Sequence, residues 1–277
     1  MLQDQTFPAH APHATPPRAI GALALSSKKR DSASCIDTFR ASGSARAVFP
    51  RSAEGLEAVV VNTSGGLTGG DRFRIGARAG AGSHLILTTQ AAERAYRSAS
   101  GQARVSTHLE VEPGASLFWL PQELIVFDGA ALTRKLEVTL AEGAELLLVE
   151  PVIFGRALMG EVVQEAIFRD RVTITRAGRP LYSDAISLTG DIPARLSYAA
   201  TARGMTAMAS VVLVRSSAEG LLTTARSLLP EAGGASLLAP DMLVIRLLAQ
   251  DGYLLRAALC PVLEALSGAD LPKSWRL

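Results

Sequence analysis

ARVSTHLEVEPGASLFWL (Ala103–Leu120) holds the pattern on which the fold turns. Val105, Thr107, Leu109 and Val111 alternate with Ser106, His108, Glu110 and Glu112, the period of two that a half-buried strand requires. Gly114 then offers a residue that takes positive φ without steric cost, and a new apolar run opens behind it. The same punctuation recurs. GSHL (Gly82–Leu85), GASL (Gly114–Leu117) and GAEL (Gly143–Leu146) each follow an alternating strand and open an apolar one. A spacing of roughly thirty residues falls among the periods of repeat architectures. Stacked hairpins, a β-helix-like layering and an ordinary antiparallel meander all satisfy this pattern.

Outward from that stretch, the period of two continues from Ile20 to about Leu188. Phe73, Ile75 and Ala77 alternate with arginine and glycine, as do Leu136, Val138 and Leu140 with Glu137 and Thr139, and Val172 and Ile174 with threonines. The C-terminal part changes character. Val211–Val214 and Leu243–Leu248 read as strands. Ser217–Leu229 predicts a helix with Leu221, Leu222, Ala225, Leu228 and Leu229 on one face, closed by Pro230. Tyr253–Leu266 predicts a second helix, which Pro261 should kink or split. Early strands and late helices predict a mainly β, α+β fold with a dominant sheet. Met1–Pro17 carries Pro8, Pro12, Pro16 and Pro17 among small polar residues and is expected to be a disordered tail, His10 and His13 included. Residues 18–277 are expected to form one domain.

Composition narrows the functional classes. Hydrophobic residues make up 48% of the 277 and charged residues 19%, enough for a large core. A net charge of +2, without basic runs interleaved with aromatics, argues against nucleic acid. Lys28–Lys29–Arg30 reads as a solvated strand end. Cys35 and Cys260 form no CxxC, so neither a disulfide framework nor a zinc ribbon is expected. No secretory signal pattern opens the chain, and no apolar run reaches the ~18–20 residues of a membrane helix. A soluble cytoplasmic protein is the expectation.

GGLTGGD (Gly65–Asp71) is the most unusual local feature. It is not a phosphate cradle. No Lys–Ser/Thr pair follows, Asp71 stands where an anion would want a cation, and the next residues alternate like a strand, so no helix N-terminus is offered. On its chemistry it is a connection between strands with Asp71 capping its own turn, or a stretch of bare backbone beside a carboxylate in a narrow polar channel. Glu150 ends the apolar run LLLVE, Glu161 follows Met159–Gly160, and Asp184 interrupts LYSDAISL. The plain reading of each is a solvated strand end. If several point inward, each must pair, protonate or hold a cation, with Arg156 and Arg171 as available partners. Nucleophilic catalysis has little support, since no G-x-S-x-G elbow occurs and His84 and His108 lie on different strands. His108 falls on a polar face. Any metal contact would be oxygen-rich and weak, which suits passage better than storage.

Five blocks, in order, resemble the urease accessory protein UreD (UreH) family. They are NTSGGLTGGD (Asn62–Asp71), LTTQAAERAYRS (Leu87–Ser98), WLPQELIVFDGAAL (Trp119–Leu132), LLLVEPVIFGRALMGE (Leu146–Glu161) and LPKSWRL (Leu271–Leu277). The resemblance implies a largely β fold with β-helix-like layering and a non-enzymatic role in urease maturation. It implies binding to urease apoprotein, to a UreF-type partner and, through it, to the GTPase UreG. It also implies nickel in transit through an internal, water-filled passage, with no cofactor permanently bound. By position, Asp71, Glu150 and Asp184 resemble the acidic residues proposed to line that passage, with Glu161 nearby; Glu93 stands where other members often carry a small or neutral residue. The competing expectations are a purely structural adaptor without an ion path, and a β-rich hydrolase using Asp71 with Glu150 or Glu161 as a carboxylate pair.

Overall fold

A computed structural model describes residues 17–156 and 159–276. The tail expected over Met1–Pro17, with His10 and His13, lies outside the described residues except for Pro17, as do two residues of the LLLVEPVIFGRALMGE block and the terminal Leu277.

β1 (Ile20–Arg30), β2 (Ala33–Gly43) and β3 (Ala45–Val48) lead into β4 (Leu56–Asn62). The chain then coils. β5 (Arg72–Ala79), β6 (His84–Thr89) and β7 (Glu93–Ala95) make one turn, and β8 (Ala103–Val111), β9 (Ser116–Leu120) and β10 (Leu124–Val126) the next. β11 (Ala131–Leu140) and β12 (Glu145–Phe154) follow, the end of β12 pairing with β10. β13 (Glu165–Arg176) begins another turn and β14 (Arg179–Asp191) folds back along it. One sheet has the order β14-β13-β11-β8-β5-β1-β2. In it β5, β8, β11 and β13 are parallel, although β13 is joined to β14 as an antiparallel pair. The facing sheet contains the parallel run β4, β6, β9 and β12. The structure is therefore a stacked coil rather than a meander.

The glycine turns are the corners of that coil, passing the chain from one sheet to the other. Gly82, Gly114 and Gly143 have φ of 67°, 65° and 70°. A Cβ at any of them would meet nothing within 4 Å, so the backbone angle, not crowding, demands glycine there. Because the corners repeat in register, like residues stack. Leu85, Leu117 and Leu146 are lateral neighbours in β6, β9 and β12, and each is 0% exposed.

The remaining elements are α1 (Ile192–Ser197), β15 (Ala207–Val214), α2 (Ala218–Leu228), β16 (Gly233–Ala239), β17 (Met242–Ala249) and α3 (Gly252–Ser267). β15, β17 and β16 extend the second sheet antiparallel from β12. α2 and α3 cover its outer face, packing on Ile86, Phe118, Leu147 and Val149. That sheet is thus buried on both sides. This explains why LFWL and LLLV are continuous apolar runs while the strands of the first sheet alternate.

Two details of the helices differ from expectation. α3 runs unbroken through Pro261. Pro261 and Ala257, whose carbonyl loses its donor, both lie on the exposed side, where water can satisfy that oxygen while Leu255, Leu259, Val262 and Leu263 stay buried. In α2 the burial falls on Ala218 and Ala225, and Leu228 is exposed. Lys28–Lys29–Arg30 is a solvated strand end as expected.

Candidate functional site

The GGLTGGD segment closes on itself. The Asp71 carboxylate accepts one hydrogen bond from the Thr68 N–H at 2.8 Å and another from the Ala19 N–H at 2.8 Å. Both oxygens of this buried group are answered by backbone, so its burial requires no ion. Asp71 thereby caps its turn and pins the entry to β1. Gly69 is required by close approach, since a Cβ there would lie 1.9 Å from Ser98 Oγ and 2.3 Å from the Ser100 carbonyl oxygen.

Beside this turn, between the two sheets, lies a cavity of about 280 Å³. Its walls include Phe73, Thr107, Trp119, Gln122, Glu93, Arg134, Glu150 and Asp170, and exposed Gln90, Ala91 and Arg94 form part of its rim. Glu93 accepts from Asn62 Nδ2 at 3.2 Å and from the Arg94 N–H at 3.2 Å. Burial pushes its carboxyl above the usual range, against these two hydrogen bonds.

The inner end of the cavity is a buried ionic bridge. Arg134 Nη1 lies 2.8 Å from Glu150 Oε2, and its Nη2 pairs with Asp170. Trp119 Nε1 donates to Glu150 Oε1 at 2.7 Å. Glu150 is therefore not a solvated strand end but a buried, paired carboxylate facing the core. Burial pushes its carboxyl up and Arg134 pulls the other way. Beyond the bridge is a second, water-sized space of about 10 Å³ lined by Glu150, Asp170, Asp184 and Ser210. Asp184 pairs with Arg246.

The structure thus brings Glu150 and Asp184 together and leaves two expected residues apart. Asp71 and Glu161 line neither of these cavities. Asp71 is held by its turn, and Glu161 pairs with Arg156 at 2.8 Å on the surface. Of the expected cationic partners, Arg156 takes Glu161, while Arg134 and Arg246 take the places foreseen for Arg171. The sequence reading missed Arg134 and Asp170, although a signal was present. Leu132, Leu136 and Val138 of β11 are buried, and Arg134 falls in the same phase of the alternation. Asp170 falls in the buried phase of Phe168, Val172 and Ile174 in β13. Charges in the inward phase on adjacent strands, in lateral register, announce a buried pair.

Another polar pocket, of about 210 Å³, lies on the opposite face of the second sheet near the end of α3. His84 borders it, its Nδ1 2.5 Å from Ser116 Oγ and its ring edge-on to Phe118 at 4.5 Å. Burial lowers the His84 imidazole below its ordinary 6.5, outweighing the hydrogen bond to Ser116. As pH falls through that ordinary value the unfolded chain takes up the proton first, so stability is lost on acidification and is fully present above it. His84→Gln is expected to flatten the loss measured by urea unfolding between pH 7.5 and 5.5, by at most ~1.4 kcal/mol per pH unit. An unchanged slope would remove His84 as the source. His108 is exposed and pairs with Glu110 at 3.1 Å.

Among the described residues, no group of three or more His, Cys, Asp or Glu side chains is arranged to hold a metal ion. No helix among them is long and apolar enough to cross a membrane.

Comparison with known proteins adds to this geometry. A family model described as UreD urease accessory protein matches residues 19–276. The chain is 52% identical over 262 residues to the urease accessory protein UreD of Roseobacter denitrificans, covering 94% of this chain and 96% of that one. It is 47% identical over 257 residues to the protein of the same name from Ruegeria pomeroyi, covering 92% and 100%. With urease accessory protein UreD 1 of Brucella abortus the identity is 43% over 265 residues, covering 94% and 95%.

Proposed function

The chain belongs to the UreD family of urease accessory proteins, and on that footing we propose that it is a cytoplasmic scaffold of urease maturation through which nickel passes to the apoprotein. In this reading a UreF-type protein docks on the scaffold and brings a UreG-type GTPase with it, and urease apoprotein binds elsewhere on its surface. Nickel is cargo, not a resident cofactor. The observation that carries the passage is the sharing of Glu150 and Asp170 by two cavities, one rimmed by exposed Gln90 and the other by exposed Ala185. Carboxylate and hydroxyl oxygens hold a first-row divalent ion less firmly than imidazole or thiolate, so a path lined by them favours transfer over retention. The ion-contacting residues are then Glu93, Glu150, Asp170 and Asp184, with Asp71 and Glu161 as supports of the surrounding turns.

The hydrolase alternative needs Asp71 with Glu150 or Glu161 free in one cleft. Each of the three is committed to a different partner in a different place. The adaptor alternative differs from the passage only in the fate of nickel. Co-expression with urease subunits and the other accessory factors separates them. Deleting the chain should abolish nickel loading. Glu150→Gln keeps an oxygen for Arg134 but removes the charge, and is expected to lower urease nickel content about tenfold, a barrier of ~1.4 kcal/mol, while the chain still captures its partners. Undiminished nickel content in both Glu150→Gln and Asp184→Asn leaves only the adaptor.

A further inference from the structure

Two cavities share two carboxylates, Glu150 and Asp170. Arg134, in the lining of the larger one, pairs with both. The guanidinium cannot lose its proton, so the bridge always holds one fixed positive charge between its two carboxyl groups. Asp184, the third carboxylate of the inner space, is answered separately by Arg246. Two further polar atoms are unanswered. Ser210 Oγ borders the small cavity, its residue is 7% exposed, and it has no hydrogen-bond partner among the described residues. The buried Nε of Arg134 has none either. A buried hydroxyl without a partner beside two carboxylates is an oxygen-donor set short of a ligand. Arg134 itself borders the cavity of about 280 Å³, which gives the side chain room to withdraw.

We propose that Arg134 is a resident cation seated in a divalent-cation stop formed by Glu150, Asp170 and the Ser210 hydroxyl, and that an ion crossing between the two cavities displaces it. This rests on the passage reading above and gives it a release step. Two buried carboxylates left without a counter-ion grip a divalent cation more firmly than the same pair answered by a guanidinium. A tethered monovalent competitor weakens that grip, and it re-pairs with both carboxylates once the ion has gone. The bridge then sets affinity by competition rather than by the number of ligands.

The test uses the full chain, purified with a histidine-free tag, in equilibrium dialysis against Ni²⁺. Arg134→Met keeps side-chain length and removes the competitor. It is expected to bind about one ion on the order of tenfold more tightly than the wild-type chain, with its Tm rising as nickel is added. Adding Glu150→Gln and Asp170→Asn to that variant should abolish the gain. A folded Arg134→Met chain that binds nickel no better than wild type overturns the proposal. Should the methionine variant fail to fold, Arg134→Lys serves. An ammonium lacks the fork that holds both carboxylates, so severalfold tighter nickel binding is expected, and wild-type affinity in the folded lysine variant overturns the proposal equally. The two readings fail separately. Tight binding by Arg134→Met with normal urease loading in Glu150→Gln would mean a stop that is not on the route. The reverse result would keep the route and reduce Arg134 to a structural ion pair.

Discussion

Arg256→Ala should lower the unfolding free energy by about 3–5 kcal/mol, the range for a buried ion pair stripped of one partner. Arg256 projects from α3 onto the corner after β9. Its Nη1 donates to both oxygens of Glu123, at 2.7 and 2.9 Å. Its Nη2 donates to Gln122 Oε1 at 2.7 Å and to the carbonyls of Trp275 at 3.0 Å and Ser274 at 3.3 Å. The guanidinium also lies over the Trp275 ring, 5.0 Å from its centroid, and that indole donates to the Leu120 carbonyl at 3.0 Å. One side chain thus ties together the helix, the coil and the C-terminal LPKSW. Alanine would leave Glu123, 5% exposed, as a buried charge with no counter-ion. Equilibrium urea unfolding decides the matter, and a loss below ~1 kcal/mol, the value of an ordinary surface pair, would show that water reaches Glu123 and replaces the arginine.

Leu117→Ala is the second large effect, expected at about 2–5 kcal/mol. Leu117 is 0% exposed and is held between Leu85 and Leu146 in the stack. The strands above and below are fixed by ladder hydrogen bonds, so they cannot close the gap that the missing atoms leave. The cost then includes the cavity as well as the lost transfer free energy. The same truncation at the exposed Leu238 removes no packed neighbour and serves as the control. Comparable losses at the two positions in urea unfolding would contradict the stacked core.

Much of this molecule is legible without its structure. The alternating phases of β5, β8, β11 and β13, the glycine corners, the strands β15 and β17 and the helices α2 and α3 all stand in the sequence, because each follows from local periodicity or a local dihedral demand. So does Asp71 as the cap of its own turn, since its bond to the Thr68 N–H spans only three residues. Membership of the UreD family was also open to reading, carried by blocks along the chain. Pairing was not. A glycine at positive φ serves a hairpin and a coil corner equally well, so the three repeats left meander and layered coil undecided until parallel partners about thirty residues apart were found. Nor could Glu150 be told from a solvated strand end. Its partners come from β9, β11 and, through Arg134, β13, and nothing local to LLLVE encodes them. The sequence by itself determined the alternation of the strands and where the chain must turn, because φ and side-chain phase are properties of neighbours along the chain. Only the tertiary structure decided that Arg134, Glu150 and Asp170 face one another between two cavities, because burial of a charge is tolerated only through partners that distant strands supply.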